Sequence, residues 1–288
     1  MRRPMIALLL LLAAGCTAGP PAVPPTPAAR HAGLVALTDT SAGRVVDHLA
    51  FRERREVEEA ATLRFGAGGM PRTPPPPAVP AAGAVMDPAM DLLLIHAQRL
   101  SALSLGGVAA GDAEATAALA RVESAIGALR GTPGPWPAEA ARQRAAGAFR
   151  ALAAPAPQGS DAAGFAAGRQ GAVAEATGFL QALVGRDARG GLRAVLAERH
   201  RGWRGAQEAV LAAARNDRNL SPQDRMALWN RTQARLAADA PDVAAAELAQ
   251  VFAAMPAAHR AAGAGDEAGV EAFATSVARL RAIEAQAR

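Results

Sequence analysis

The side chains able to do chemistry are few and widely spaced in this sequence. His31, His48, His96, His200 and His259 are scattered, and none lies three or four residues from another. Zinc sites need imidazole, thiolate or carboxylate ligands converging from one turn or helix face, as in HExxH or CxxC, and neither pattern occurs. There is no lysine, so neither a phosphate-binding P-loop nor an internal Schiff base can be built, and no serine stands in GxSxG. No metal and no cofactor are therefore expected. His96, inside LLLIHAQRL, is expected to be a hydrogen-bonded core residue. The segment GAGDEA over 263–268 fits the loose pattern G-x-G-x-x-G/A, but the residues before it read as helix rather than strand. It is expected to be a loop that caps the next helix.

A charge asymmetry is the other chemical feature. Residues 186–235 hold eleven arginines against Asp187, Glu198, Glu208, Asp217 and Asp224. Within this stretch Arg199, His200, Trp203 and Arg204, then Arg225, Trp229 and Arg231, mix cation and indole, the combination that grips anionic groups and sugar faces. They form a candidate anionic-ligand patch. The spacing of Leu192, Leu196, Trp203 and Val210, and of Met226, Trp229 and Leu236, also places both indoles on apolar helix faces, where they would be core and the arginines a solvated rim.

Two short motifs resemble known families. The chain opens MRRPMIALLLLLAAGC: two arginines, an apolar run too short to cross a bilayer, and small residues before the single cysteine. This resembles the signal peptide and lipobox of bacterial lipoprotein precursors, with Ala13 where leucine is more usual. The resemblance implies removal of residues 1–15, a diacylglyceryl group on Cys16 and attachment to the cell envelope; Thr17, in place of aspartate, implies the outer membrane, facing the periplasm. Expected partners are the membrane itself and envelope proteins, lipopolysaccharide or peptidoglycan; no nucleic acid is expected. The second motif is Ala120-Arg121-Val122-Glu123-Ser124-Ala125, which resembles the ES motif of lytic transglycosylases, whose glutamate protonates a glycosidic oxygen. That makes Glu123 the one catalytic candidate. The downstream segment GALRGTPGPWP and the absence of tyrosine depart from that family, so a non-catalytic binding or scaffolding role is the reading adopted.

Composition then bounds the elements that must position these residues. Tyrosine is absent and aromatics make up 3% of 288 residues, which disfavours β-sandwiches and barrels and leaves an all-α chain. Residues 16–33 read as a lipidated cysteine and a disordered Pro/Ala-rich spacer. Residues 34–65 read as one separate amphipathic helix, with RERREVEE supplying i,i+4 pairs such as Arg52/Glu56 and Arg55/Glu59. Residues 66–86 (GAGGMPRTPPPPAVPAAGAVM) read as a Pro/Gly-rich linker. From Asp87-Pro88, read as an N-cap and first helical residue, to 288 the breakers punctuate about eight helices of a multi-helix bundle.

Overall fold

A computed structural model describes residues 25–70, 73–237 and 240–286. Cys16 and the signal segment lie outside the described residues. Among the described residues the fold is all-α: α1 (Pro27–Gly66), α2 (Val79–Ser104), α3 (Asp112–Ala128), α4 (Glu139–Ala153), α5 (Ala162–Val184), α6 (Gly191–Asn216), α7 (Pro222–Leu236), α8 (Asp242–Ala264) and α9 (Glu267–Gln286), with a 3₁₀ turn after α3. The eight helices expected beyond residue 87 correspond to α2–α9.

The first helix differs from expectation in both start and place. Thr26 Oγ1 accepts from Ala29 N at 3.2 Å and Pro27 occupies the first turn, so the Pro/Ala-rich run ends in a helix start seven residues before the expected one. Nor does α1 stand apart. Ala28, Ala32, Val35, Ala42, Val45 and Leu49 form a buried stripe at helical spacing, and the helix packs on α2, α6, α8 and α9. At 1.5 Å per residue its 40 residues make an axis of about 60 Å along which the bundle is assembled.

The second helix also begins early, at Val79 rather than Asp87. No local side chain caps it. Instead the Glu53 carboxylate, from α1, accepts from the N–H groups of Ala78 and Val79 at 2.8 and 2.9 Å. This satisfies donors that a helix start leaves open, and places a negative charge at the positive end of the helix dipole. Pro88 consequently lies inside α2, where it removes one intrahelical hydrogen bond; the carbonyl it leaves belongs to exposed Ala84. Likewise α8 runs through Pro256 to a left-handed C-cap at Gly265 (φ 73°), and Asp266 caps α9 through the N–H groups of Ala268 and Gly269. The expected cap in GAGDEA is therefore present, but the loop is only Gly265-Asp266, the flanking residues belonging to α8 and α9.

The core sits between α1, α2, α5 and α8, with α4, α6 and α9 closing its sides. Phe149, Leu180, Leu183, Leu192, Phe252 and Phe273 are buried there among many alanines, whose small side chains let helix axes approach closely. By contrast α7 packs chiefly on α6, and only Thr232 of its residues is buried.

Candidate functional site

The first half of the arginine-rich segment is turned inward. Along α1, Glu53, Glu56 and Glu59 repeat every three residues and meet α6 in register. Arg199 is ion-paired with Glu53 and its Nη2 donates to Pro76 O at 2.7 Å. Glu56 Oε1 lies 3.1 Å from His200 Nδ1 and accepts from Arg52 at 2.9 Å. Glu59 accepts from Trp203 Nε1 at 3.0 Å and Gln207 Nε2 at 3.2 Å and pairs with Arg235 of α7. The Trp203 and His200 rings stack with centroids 5.2 Å apart, and Arg204 donates to Leu236 O. Arg199, His200, Trp203 and Arg204 thus form a seam, buried at His200 and Trp203 and half-buried at the two arginines, that staples α1 to α6 and α7. Of the expected intrahelical pairs Arg52/Glu56 forms, whereas Glu59 reaches across to the other helices.

The second half faces outward. Thirteen residues of α6 follow Trp203 but only seven of α1 follow Glu59, so α6 overshoots α1 by about 9 Å. From there α7 folds back along α6 to make a projecting arm. Among the described residues nothing covers the arm's outer side, and Trp229 is 54% exposed and Met226 66%. The expectation that both indoles are core therefore holds for Trp203 and fails for Trp229: the apolar spacing of α7 is real, but no further layer lies over it. Leu211, Ala214, Leu228 and Trp229 line a groove of about 370 Å³ whose charged lining residues, Arg215 and Arg225, are both cationic. Arg231 is exposed on α7, outside that groove.

Glu123 lies on α3 with its side chain 36% exposed, 2.6 Å from Arg150 Nε of α4. A general acid of a glycosidase sits in a dry cleft beside its substrate. Here the carboxylate is in a surface ion pair between two helices.

Two inner clusters carry the remaining polar chemistry. His31 of α1, His96 of α2 and His259 of α8 meet in the core, with His96 stacked on Phe165 at 4.9 Å and His31 beside Phe273. Gln170 donates to Pro256 O at 3.0 Å, which turns its Oε1 toward His259 Nδ1 at 2.9 Å. His259 Nδ1 therefore carries the hydrogen, and its Nε2 accepts from His96 Nε2 at 3.0 Å. This leaves His96 Nδ1 as a buried acceptor without a hydrogen-bond partner; His31 Nδ1 is also buried without one. Burial pushes His31 down to about 3 and His259 to about 4, and holds His96 well below the usual range, all three being neutral imidazoles at pH 7. The expectation for His96 as a bonded core histidine holds, and the spacing gave no sign that three helices bring these rings together.

The second cluster is Arg99, 1% exposed. It donates to the carbonyls of Leu152, Ala153 and Ala154 at the end of α4, to Ala110 and Gly111 O, and to Asp112 Oδ1 at 2.7 Å. It was legible only as a charge following an apolar run, and its place at a helix C-terminus is where a cation is favoured. Among the described residues no three His, Cys, Asp or Glu side chains are arranged to hold a metal ion. No helix among them is long and apolar enough to cross a membrane.

No protein-family model matches this chain, and no curated protein or solved structure proves similar to it.

Proposed function

We propose that this chain is a lipid-anchored protein of the bacterial cell envelope, held through Cys16 in the outer membrane on its periplasmic side, with a binding, scaffolding or assembly role rather than a catalytic one. The opening MRRPMIALLLLLAAGC supports the anchor. The observation that carries the binding role is the α6–α7 arm, where exposed Trp229 and Met226 stand beside an apolar groove rimmed by Arg215 and Arg225. Exposed aromatic and arginine side chains around an apolar floor are the residue types that dominate contact energies at protein interfaces. Moreover, the arm sits at the end of α1 remote from Pro27, where Arg30 is tied to Glu267 and Glu271. An anchor attached ahead of Pro27 and a docking face about 60 Å away leave the arm directed off the membrane, toward envelope proteins, lipopolysaccharide or peptidoglycan.

Two measurements test this reading. Replacing Cys16→Ala is expected to move the protein from the membrane pellet to the soluble fraction and to abolish incorporation of radiolabelled palmitate; retention in the pellet overturns the anchor. A photo-crosslinking amino acid at position 229 is expected to give discrete adducts in intact cells, with none from position 123. Equal adducts from both positions overturn the arm as the docking face.

A further inference from the structure

The arm has a counterpart elsewhere on the same chain. Between α1 and α2 runs a groove of about 680 Å³ whose floor includes Ala42, Val46 and Met90 and whose rim carries Asp39, Asp47 and Asp87. The cations at and near it are already engaged: Arg44, which also lines the groove, is ion-paired with Glu284, and Arg121 lies 2.7 Å from Asp91. Asp39, Asp47 and Asp87 make no ion pair among the described residues, and neither do Arg215 and Arg225 of the arm. The surplus of negative charge is felt locally. Partial burial, then the charges of Asp91 and Asp87, push the Asp39 carboxyl above its ordinary value. Among the described residues one chain thus carries a cationic apolar projection and an acidic apolar groove, whose Arg215, Arg225, Asp39, Asp47 and Asp87 are left without an ion-pair partner.

The two cannot meet within one molecule. The groove centres on the stretch of α1 from Asp39 to Asp47, about 30 Å from the end of α1 at Gly66, and the arm projects beyond that end. Because α6 is an unbroken helix from Gly191 to Asn216 and the end of α7 is tied back through Arg235 to Glu59 and through Leu236 O to Arg204, the arm is held in its projecting position. Contact must be made with another copy, and the two surfaces are different patches. A contact of this kind is heterologous, repeating from copy to copy into a chain or closing into a ring.

We infer that this protein self-associates head to tail, the face of α7 bearing Arg225, Met226 and Trp229, with Arg215 beside it, seating in the Asp39/Asp47/Asp87 groove of the next copy. The inference rests on the binding and scaffolding role proposed above and supplies its partner, a second copy of the same chain. Opposed charges flanking apolar contact fix the polarity of the assembly and make it sensitive to salt.

The test is a charge swap read by sedimentation velocity on the full chain in detergent. The unmodified chain is expected to form a concentration-dependent series above the monomer that recedes at high ionic strength. The Arg215→Glu/Arg225→Glu variant carries an acidic arm and an acidic groove, and the Asp39→Arg/Asp87→Arg variant is cationic at both. Each alone is expected to associate about tenfold more weakly or less, as for losing close charge pairs at an interface. Mixing the two variants is expected to restore association, since each arm again meets a groove of opposite sign. Circular dichroism and the thermal midpoint of each variant check that it folds. A monomeric unmodified chain, a variant that associates as the parent does, or a mixture that stays monomeric overturns the inference. So does a monomeric chain that instead binds phosphatidylglycerol vesicles through Arg215 and Arg225. If the chain is monomeric but position 229 still crosslinks to an envelope component, self-association fails and the binding role stands; if neither occurs, both fail.

Discussion

The two halves of α6 carry similar side chains and have opposite fates. In the inner half, Leu192, Leu196, His200 and Trp203 are buried, and the glutamates of α1 take up Arg199, His200 and Trp203 one by one. In the outer half and the α7 hairpin that continues it, Leu211, Arg215, Arg225 and Trp229 face an open groove. Arginine and indole therefore act as mortar where a helix of opposite charge runs alongside, and as an available face where that helix has ended. The boundary between the two behaviours is set by the length of α1, not by the composition of α6.

The contrast is open to measurement, and acid should have the strongest influence. His31, His96 and His259 are neutral in the folded protein, with His31 and His259 at about 3 and about 4 against an ordinary 6.5 when unfolded. Below pH 6.5 the unfolded chain binds protons that the folded chain refuses, so stability falls as pH falls from 6.5 toward 4. Each buried histidine contributes about 1.4 kcal/mol per pH unit to that loss. Urea midpoints measured from pH 7 to pH 4.5 should fall steeply, and a His31→Phe variant should show a shallower slope. The segment from Leu211 to Leu236 contains no histidine, so this histidine effect belongs to the core and not to the outer arm, and a slope unchanged by His31→Phe would contradict the histidine cluster as its source.

Next in size are the seam residues. Glu53→Ala leaves Arg199 half-paired and the N–H groups of Ala78 and Val79 without their acceptor, and should cost about 3–5 kcal/mol in urea unfolding. Trp203→Ala empties a site 5% exposed and should cost a comparable about 3–5 kcal/mol. The matched substitution on the arm, Trp229→Ala, should change stability by less than about 0.5 kcal/mol. Equal losses for Trp203→Ala and Trp229→Ala would erase the distinction between the two halves of the helix. At the same small scale is Glu123→Gln, which removes an exposed ion pair worth about 0.2–1 kcal/mol. The unmodified protein incubated with purified sacculi is expected to release no anhydro-muropeptides; release that disappears with Glu123→Gln would make Glu123 catalytic after all.

Much of the architecture was written in local signals. Glycine and proline punctuation located the breaks between the later helices, and Ser221-Pro222 and Asp161 cap their helices from their own sequence neighbourhoods. The errors share one cause. α2 starts eight residues before Asp87 because its cap comes from Glu53, and α1 joins the core because four other helices lie against it. Neither fact has a trace in the residues adjoining the boundary. The period-three row Glu53, Glu56, Glu59 was visible, but solvent and a cationic helix satisfy such a row equally well, and the choice depends on α6, about 140 residues away. For the same reason the apolar spacing of α7 could not reveal that one of its faces is left open.

The tertiary cap on α2 has a consequence for how the chain acquires its structure. Glu53 and the start of α2 emerge early in synthesis, whereas Arg199 follows Glu53 by 146 positions and only then can complete the cluster around that carboxylate. Contacts closing so long a loop form late, and proteins rich in them fold slowly. The opening turn of α2 should therefore gain its hydrogen-exchange protection in the same kinetic phase as the docking of α6, well after the middle of its own helix. An early-made segment would owe its final ordering to one that leaves the ribosome more than a hundred residues later.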